Sequence, residues 1–350
     1  MKQPSSRTLI AFVDRWGAHF GGINSFNLDL IKAFAAAFYA EVQTVCVVVD
    51  ADDAAMESVA NTQVRLVPLY LQEIKKFPTE LEGKVWDALQ IAGVQIHPKD
   101  TVWLGHDRVT GGIALAAAKK RGGRSALIHH MSFSHYEDFA ESSAVARQKE
   151  QEQKQLFSSA DVVLAVGPLL RDALADMLSR VTVPMLVPGL AEIKYLAAPK
   201  RFKAFLSGRL SEDAKKIKQA QLGVAAFASA ICRANKDPAL PSALCSDSEP
   251  LLTLRGVDFE NERVGEINLK SHAEMAELEL KEFAAARAGR VVGMRALPFT
   301  TNREDLFKDL SGASVAMMPS WHEGFGLVAW EAIAAGVPLI VSSKSGAYSK

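Results

Sequence analysis

Short apolar runs alternate with helix-length segments along most of this chain, and this alternation restricts its fold more than any other feature. Each run is too short for a buried helix and is rich in the residues that fill strands buried on both faces. Parallel strands of this kind require crossover connections, which helices supply. The pattern predicts strands at 8–14, 42–49, 64–68, 101–105, 125–129, 162–166 and 184–187, and again at 203–206, 251–256, 290–297, 314–318 and 338–341.

Helical periodicity occupies the intervals between these runs. It predicts helices at 27–38, 110–121, 141–157, 214–233, 272–288, 303–310 and 327–335. Pro188-Gly189 is a turn signal, residues 191–201 resemble an interdomain connection, and the alternation then restarts. We therefore expect an α/β protein with one domain at 1–190 and a second at 200–350.

Composition excludes several classes of protein. Among the 350 residues, 40 Lys and Arg balance 40 Asp and Glu, so nothing predicts non-specific nucleic-acid binding. No apolar stretch approaches the length of a membrane span, and the run at 9–13 is too short for the core of a signal peptide. Cys46, Cys232 and Cys245 form no close pair or metal-type cluster. We expect a cytoplasmic protein with no transmembrane segment and no nucleic-acid partner.

The most informative segment is PSWHEGFGLVAWEAIAAGVPLIVSS, residues 319–343. A buried strand ends there, a glycine-bearing loop follows, and a helix begins near Gly326. Glycines allow a ligand to approach the backbone closely, and a helix N-terminus favours a diphosphate. Glu331 falls in about the second turn, so its carboxylate can face the same crevice. Two glutamates at this spacing are common, and the plain alternative is a helix start with unrelated acidic residues.

The flanking residues narrow the interpretation. Seven residues separate Glu323 from Glu331, within Pro-Ser-x-x-Glu-Gly-Phe-Gly-Leu and Glu-Ala-x-Ala-x-Gly-x-Pro. This pattern resembles the Glu-x7-Glu signature of retaining glycosyltransferases of the GT-B fold, most like family 4, which are related to sucrose synthase and trehalose-phosphate synthase. The resemblance implies two Rossmann-like domains facing a central cleft. It implies that Glu323 contacts sugar hydroxyls and stabilises the transition state, and that Glu331 binds the ribose. It assigns donor-binding backbone amides to Gly324, Phe325, Gly326 and Leu327.

Two further segments match the diphosphate-binding parts of this family. Gly21-Gly22 follows the first strand, where the family uses a glycine pair to bring amides to the donor, although any tight turn accepts glycine. Arg209 matches the arginine that neutralises the diphosphate. The family lysine normally follows five residues later, where this chain has Ala214. Lys215, Lys216 and Lys218 come just after, so a one-residue insertion would supply Lys215, and a neighbour could take its place. The alternative for these cations is a solvated basic helix face.

Histidines follow two strands of the first half. DTVWLGHDRV and ALIHHMSFSHYEDF resemble the strand-end His-Asp and His-x-x-Phe segments of trehalose-phosphate synthases. The resemblance places Asp107 near the acceptor and His130 beside the transferred sugar. His129, His130 and His135 could instead form a metal site, with His106-Asp107 adding ligands, or could be ordinary hydrogen-bonded histidines. His322-Glu323 does not predict a zinc hydrolase, because no second His follows at helix spacing. We expect no metal and no cofactor.

The resemblance implies a retaining glycosyltransferase that uses a UDP-, GDP- or ADP-sugar and an unidentified acceptor. The alternative is a nucleotide-sugar-binding or sensor module of a larger protein, which the shifted lysine leaves open. A sugar-nucleotide epimerase is disfavoured by the Glu-x7-Glu arrangement. Members of the family normally continue beyond the point where this chain ends. We therefore expect the second domain to be incomplete. The chain is then either part of a longer protein, which we favour, or a shortened member of the family.

Overall fold

The computed structural model describes residues 7–17, 21–71, 77–133, 135, 143–208, 218–245, 249–257, 272–298, 300 and 302–348. The chain forms two compact units, with most of the sequence up to Pro188 in the first and the sequence from Gly189 in the second. Residues 187–202 contain no helix or strand. None of the described helices is both long and apolar enough to cross a membrane.

The first unit is a parallel sheet with the strand order β3-β2-β1-β4-β5-β6-β7. Its strands are β1 Arg7–Phe12, β2 Val42–Val48, β3 Val64–Pro68, β4 Thr101–His106, β5 Arg124–His129, β6 Val162–Val166 and β7 Met185–Leu186. The crossover helices are α1 Gly22–Phe38, α2 Asp53–Ala60, α3 Glu82–Ile91, α4 Asp107–Arg121, α5 Ser143–Ser158 and α6 Gly167–Leu178. The order reverses between β1 and β4, and in such sheets ligands bind at the carboxyl ends beside this switch point.

The core of the first unit explains why its strands have no polar alternation. Ile10, Ala11 and Phe12 are consecutive in β1, and none of them has exposed surface. A strand buried on consecutive residues has helices over both faces of its sheet. The Phe12 ring stacks on Trp103 of β4, with ring centroids 6.2 Å apart, so the two strands that flank the switch point are also packed together.

The second unit repeats this architecture with the strand order β10-β9-β8-β11-β12. Its strands are β8 Lys203–Ser207, β9 Leu251–Val257, β10 Gly293–Pro298, β11 Val315–Met318 and β12 Leu339–Val341, and all pairings are parallel. Its helices are α7 Ala220–Ala234, α8 His272–Ala288, α9 Arg303–Ser311 and α10 Leu327–Ala334. One core cluster lies between β8, β9 and the helices α7 and α8, and it includes Leu206, Val224, Leu252 and Ala284.

The predicted α/β class with two Rossmann-like domains is confirmed, and the differences lie at element ends. α1 begins at Gly22 and α4 at Asp107, earlier than the predicted 27 and 110. α4 starts directly after the last residue of β4, and the first turn of α1 buries the polar residues Asn24 and Ser25, which hydrophobic periodicity does not detect. β10 begins at Gly293 rather than 290, because the Arg290 N–H still bonds to the carbonyl of Ala285 at the end of α8. Helices α2, α3 and α6 were not assigned from the sequence. The residues before 218 in the predicted helix 214–233 lie outside the described residues.

Candidate active site

A chain of polar side chains lies at the carboxyl ends of β4 and β5 in the first unit. His106 ends β4, and its Nδ1 lies 2.9 Å from Nε2 of His130, the residue that follows β5. Its other ring nitrogen, Nε2, lies 2.8 Å from Oδ1 of Asn27 in α1. The amide of Asn27 donates in turn to Sγ of Cys46 at 3.6 Å. Asn27, His106 and Cys46 are fully buried, whereas His130 is half-buried.

Asp107 holds the backbone beside this chain. Its carboxylate oxygen Oδ2 accepts the N–H of His130 at 3.1 Å and of Met131 at 3.2 Å. Its Oδ1 accepts the N–H of Arg108 at 2.9 Å and an N–H of the buried Gln153 amide. Asp107 has a φ of 48°, a left-handed conformation that Asp tolerates better than most residues. Asp107 is 3% exposed, and through these hydrogen bonds its carboxylate organises the start of α4 and the chain after β5.

The charge state of Asp107 follows from these contacts. Burial raises the pKa of this carboxyl, but His129, the Gln153 amide and the backbone N–H of His130 outweigh burial and lower the pKa from 3.8 to about 2. Nδ1 of His129 lies 3.5 Å from Oδ2, which is long for a hydrogen bond. The His129 ring makes no hydrogen bond within the described part of the chain. We therefore attribute most of the stabilisation of the carboxylate to the backbone and Gln153 donors.

The two histidines that contact each other are neutral at pH 7. Burial, and then the charge of His130, lower the pKa of His106 well below 6.5, although Asp107 acts in the opposite direction. Burial likewise lowers the pKa of His130 from 6.5 to about 4, against the attraction of Asp107 and together with repulsion from His129. A neutral imidazole has one donor nitrogen and one acceptor nitrogen. His106 can therefore donate a hydrogen bond to one neighbour and accept one from the other.

These pKa values predict that the protein loses stability between pH 7 and pH 5. The pKa of His130 is lower in the folded state than in the unfolded state, so its contribution is fully present above 6.5 and is lost as the pH falls towards 4. His106 acts with the same sign, and Asp107 adds a loss only as the pH falls below 3.8. We expect the His130 contribution to fall by about 2 kcal/mol between pH 6.5 and pH 5.

Urea unfolding at pH 7, 6 and 5 measures this dependence. The His130→Gln variant is the matched control, because it retains a polar side chain that does not titrate in this range. The difference in unfolding free energy between the two proteins should shrink or reverse as the pH falls. A difference that stays constant with pH would contradict the lowered pKa of His130.

In the second unit, the loop before α10 is held by the segment that follows β12. The N–H of Glu323 donates to the carbonyl of Lys344, and the N–H of Gly346 donates to the carbonyl of Glu323, each at 3.1 Å. The N–H of Ala347 donates to the carbonyl of Phe325 at 2.7 Å. These bonds form a short parallel pairing that fixes the backbone of Glu323 at the carboxyl end of the sheet.

Gly326 is the residue at which this loop turns into α10. It has a φ of 89°, which glycine adopts without strain. A Cβ at this position would lie 2.8 Å from Cε of Met318 and 2.9 Å from Oγ of Ser345. Phe325 is buried against Trp330, with ring centroids 5.4 Å apart. No side chain caps the first turn of α10 among the described residues, so Leu327 begins a helix whose first N–H groups can bind a ligand.

The side chain of Glu323 forms an ion pair with Lys218. Both side chains are about one-fifth exposed, at 19% for Glu323 and 23% for Lys218. The stem of Lys218 also passes over Gly208 at the end of β8, where a Cβ would lie 3.4 Å from its Cδ. Arg209 and Lys215, the predicted diphosphate cations, lie outside the described residues. Within the described residues, Lys218 is therefore the cation placed beside Glu323.

Glu331 lies on α10 and is 7% exposed. Its Oε1 is 3.5 Å from Nη2 of Arg303, the first residue of α9. An ion pair at this separation restrains the carboxylate without the close geometry of a bidentate pair.

In the first unit, Gly21 and Gly22 border open space, since a Cβ at either position would meet nothing within 4 Å.

The described residues contain no group of three or more His, Cys, Asp and Glu side chains arranged to hold a metal ion. The described residues therefore give no support to a metal site formed by His129, His130 and His135. Sequence reasoning did not identify Asn27 and did not select Lys218. The sequence does contain a signal for Asn27, because the polar residues Asn24, Ser25 and Asn27 follow the glycine pair closely. The structure shows that α1 buries all three.

The chain thus contains two parallel α/β sheets, each with candidate ligand-binding groups at the carboxyl ends of its strands. A family model described as "Family 4 Glycosyltransferase in conflict systems" matches residues 10–350, and the chain belongs to this family. A search of curated protein sequences gives no match.

Solved structures of GT-B enzymes have the same fold. Sucrose-phosphate synthase from Thermosynechococcus elongatus superposes with a TM-score of 0.63 at 18% identity, over 97% of this chain and 82% of that one. Anabaena HepE, in complex with UDP and glucose, gives 0.59 at 16% identity, over 98% and 82%. A UDP-forming trehalose-phosphate synthase from Burkholderia xenovorans, in complex with glucose-6-phosphate, gives 0.53 at 14% identity, over 98% and 87%. At these identities the likeness shows the fold alone.

Proposed function

We propose that this glycosyltransferase transfers a sugar from a nucleotide-sugar to an acceptor with retention of the anomeric configuration. The contact between Glu323 and Lys218, in a loop whose backbone is fixed on both sides, carries the proposal. It joins the first glutamate of the Glu-x7-Glu pattern to a cation that lies two residues before α7. A carboxylate for sugar hydroxyls and positive charge for a leaving diphosphate are the two requirements of this reaction.

The donor would bind along the carboxyl ends of β8 and β11. Backbone amides from Gly324 to Leu327 would hold the sugar and phosphate, and Glu331 would accept hydrogen bonds from the ribose. Arg209 and a lysine, for which Lys215 and Lys218 are the candidates, would neutralise the diphosphate. Because HepE, a structural neighbour, is seen with UDP-glucose, this is the first donor to test.

The first unit would contribute Gly21 and Gly22 to the donor diphosphate and would provide the acceptor side. Gly21 and Gly22 would allow a diphosphate to approach, His130 would lie beside the transferred sugar, and Asp107 would shape the surrounding backbone near the acceptor. The Burkholderia relative was solved with glucose-6-phosphate, so phosphorylated sugars belong in the acceptor panel.

The reaction would be a front-face displacement. The bond between the anomeric carbon and the donor phosphate oxygen breaks, and the acceptor oxygen forms its bond on the same face. The leaving phosphate oxygen takes the acceptor proton. Glu323 and the cations stabilise the charges that develop in this transition state. The helix N-terminus and basic residues would supply the positive charge, so we propose that the reaction needs no metal.

Release of nucleoside diphosphate from UDP-, GDP- and ADP-glucose, with a panel of sugar and sugar-phosphate acceptors, tests the proposal. We expect release to depend on acceptor and to persist in EDTA. Glu323→Gln should lower turnover about 100-fold, because it removes the negative charge of a group that acts in the transition state. Glu279→Gln, an exposed change on α8, is the control and should leave turnover unchanged.

Three outcomes would contradict parts of this proposal. Binding of a donor without turnover would favour a nucleotide-sugar-binding module. Loss of activity in EDTA that magnesium or manganese restores would overturn the metal-free reaction. A product of inverted configuration would overturn retention.

A further inference from the structure

We propose that Asn27 and His106 are positioning residues that hold His130 as the Nε2–H tautomer and leave its Nδ1 as a hydrogen-bond acceptor for a sugar hydroxyl. The tautomer follows from contacts within the first unit. The assignment of the hydroxyl to a substrate rests on the proposed function.

The direction of the hydrogen bonds starts at Asn27. Its Oδ1 can only accept, so the Nε2 of His106, 2.8 Å away, must be the donor. His106 is neutral, so its other nitrogen, Nδ1, has no proton and accepts. The Nε2 of His130, 2.9 Å from that atom, must then be the donor. Neutral His130 therefore has its lone pair on Nδ1.

The second contact of the Asn27 amide is with Cys46. Its Nδ2 faces Sγ of Cys46 at 3.6 Å. Burial raises the pKa of the Cys46 thiol to about 12, against the effect of the Asn27 hydrogen bond, so the thiol is neutral. In the arrangement of the structure its sulfur accepts the amide N–H, whereas its S–H would be the donor to a reversed amide. A reversed amide would reverse every hydrogen bond of the chain and would place the proton of His130 on Nδ1. The tautomer of His130 therefore depends on the orientation of the buried Asn27 amide, which contacts His130 only through His106.

The chain of contacts has little freedom to rearrange. The backbone N–H of His106 donates to Oγ1 of Thr110, and this hydroxyl donates to the carbonyl of Phe12, each at 2.8 Å. These bonds tie the end of β4 to β1, the two strands at the switch point of the sheet. The buried part of the chain of contacts is rigid, because breaking one of its hydrogen bonds would leave a desolvated group without a partner.

Charged groups around His130 do not change its neutral state. Asp107, at the start of α4, favours the imidazolium, whereas His129 on β5 and the burial of the ring disfavour it, and the balance lowers the pKa of His130 to about 4. The ring edge of Phe26 on α1 packs against it with centroids 5.0 Å apart. His106 on β4 contributes a neutral ring.

The free nitrogen indicates which part of a substrate His130 can contact. Within the described part of the chain, Nδ1 of His130 has no hydrogen-bond partner, and the residue is half-buried rather than enclosed. A neutral lone pair attracts the hydrogen of a hydroxyl and repels the oxygens of a phosphate. We infer that His130 receives a hydroxyl of the donor sugar or of the acceptor, and that the phosphates are held elsewhere.

Nitrogen NMR of the free protein tests the tautomer without any substrate. Two-bond 1H–15N correlation spectra of histidine-labelled protein at pH 7.5 distinguish protonated from unprotonated ring nitrogens. We expect His106 and His130 each to be protonated at Nε2 alone, with the exposed His97 as an internal reference. A proton on Nδ1 of His130, or a doubly protonated ring, would overturn the proposal.

Two variants test the role of Asn27. Asn27→Asp retains an oxygen acceptor for His106 and should preserve the His130 tautomer. Asn27→Leu has a similar volume but no acceptor, and should yield a mixture of His130 tautomers. An unchanged tautomer in folded Asn27→Leu protein would show that Asn27 does not set it. If Asn27→Leu does not fold, the spectrum of the unmodified protein and of Asn27→Asp still decide the outcome.

An activity readout separates this inference from the proposed function. Once a substrate pair is found, Asn27→Leu should lower kcat about 10-fold with little change in the donor KM, and Asn27→Asp should restore it. A fall in donor affinity with unchanged kcat would overturn the positioning role. If no donor is turned over, the proposed function fails, and the NMR result still stands or falls on its own.

Discussion

Replacing Asp107 with Asn should lower the free energy of unfolding by about 3–5 kcal/mol, because buried donors lose their acceptors. Oδ2 accepts two backbone N–H groups, and Oδ1 accepts a third and the Gln153 amide. Whichever way an Asn side chain is oriented, its NH2 group faces two N–H donors. The left-handed backbone at this position suits Asn at least as well as Asp, so the loss cannot come from the backbone.

Chemical denaturation of the two proteins at pH 7 measures this difference. Asp172→Asn is the matched control, since its carboxylate is on the exposed surface of α6 and bonds to the adjacent Arg171. We expect that control to unfold at nearly the same denaturant concentration as the unmodified protein. The Asp107 variant should also shift the backbone amide resonances of His130 and Met131. A variant as stable as the control would show that the carboxylate does not organise these strand ends.

Replacing Gly346 with Ala should lower turnover about 100-fold or more, because the reacting groups are displaced. A Cβ at this position would lie 2.2 Å from the carbonyl oxygen of Gly324 and 3.0 Å from Cα of Phe325. Both obstacles are backbone atoms, so the loop that contains Glu323 must move. We expect a loss of stability of about 1–3 kcal/mol as well, as for other overpacked sites.

Gly83→Ala is the control for this substitution. Gly83 lies inside α3, and a Cβ there would meet nothing within 4 Å. The change should stabilise the protein by about 0.5–1 kcal/mol, because Ala loses less conformational entropy in a helix. Turnover and donor binding by the two variants, compared at a temperature where both are folded, separate the local effect from a general one. Normal donor binding by Gly346→Ala would contradict the role of this pairing in holding the loop.

Much of the fold could be predicted from sequence because each part of the signal is local. A strand buried on both faces needs consecutive apolar residues, and the crossover helices between such strands need their own periodicity. The ends of elements depend on contacts outside the local pattern: α4 begins at Asp107 in a left-handed conformation that hydrophobic periodicity does not report. The cations of the donor site show the same limit. Spacing along the chain favoured Lys215, with Lys216 and Lys218 as neighbouring candidates. Lys215 lies outside the described residues, and within them Lys218 contacts Glu323.

The sequence by itself determined the α/β class. It also predicted the division into two domains and a ligand-binding helix that starts within the segment from Glu323 to Glu331. These depend on residues that are close together in the chain. The tertiary structure alone decided which groups contact one another across the first sheet. Asn27, His106 and His130 come from three separate elements, and only the order of the parallel strands brings them into one line. The protonation of His130 depends on that line, because burial and hydrogen-bond direction are properties of the folded chain and not of the local sequence.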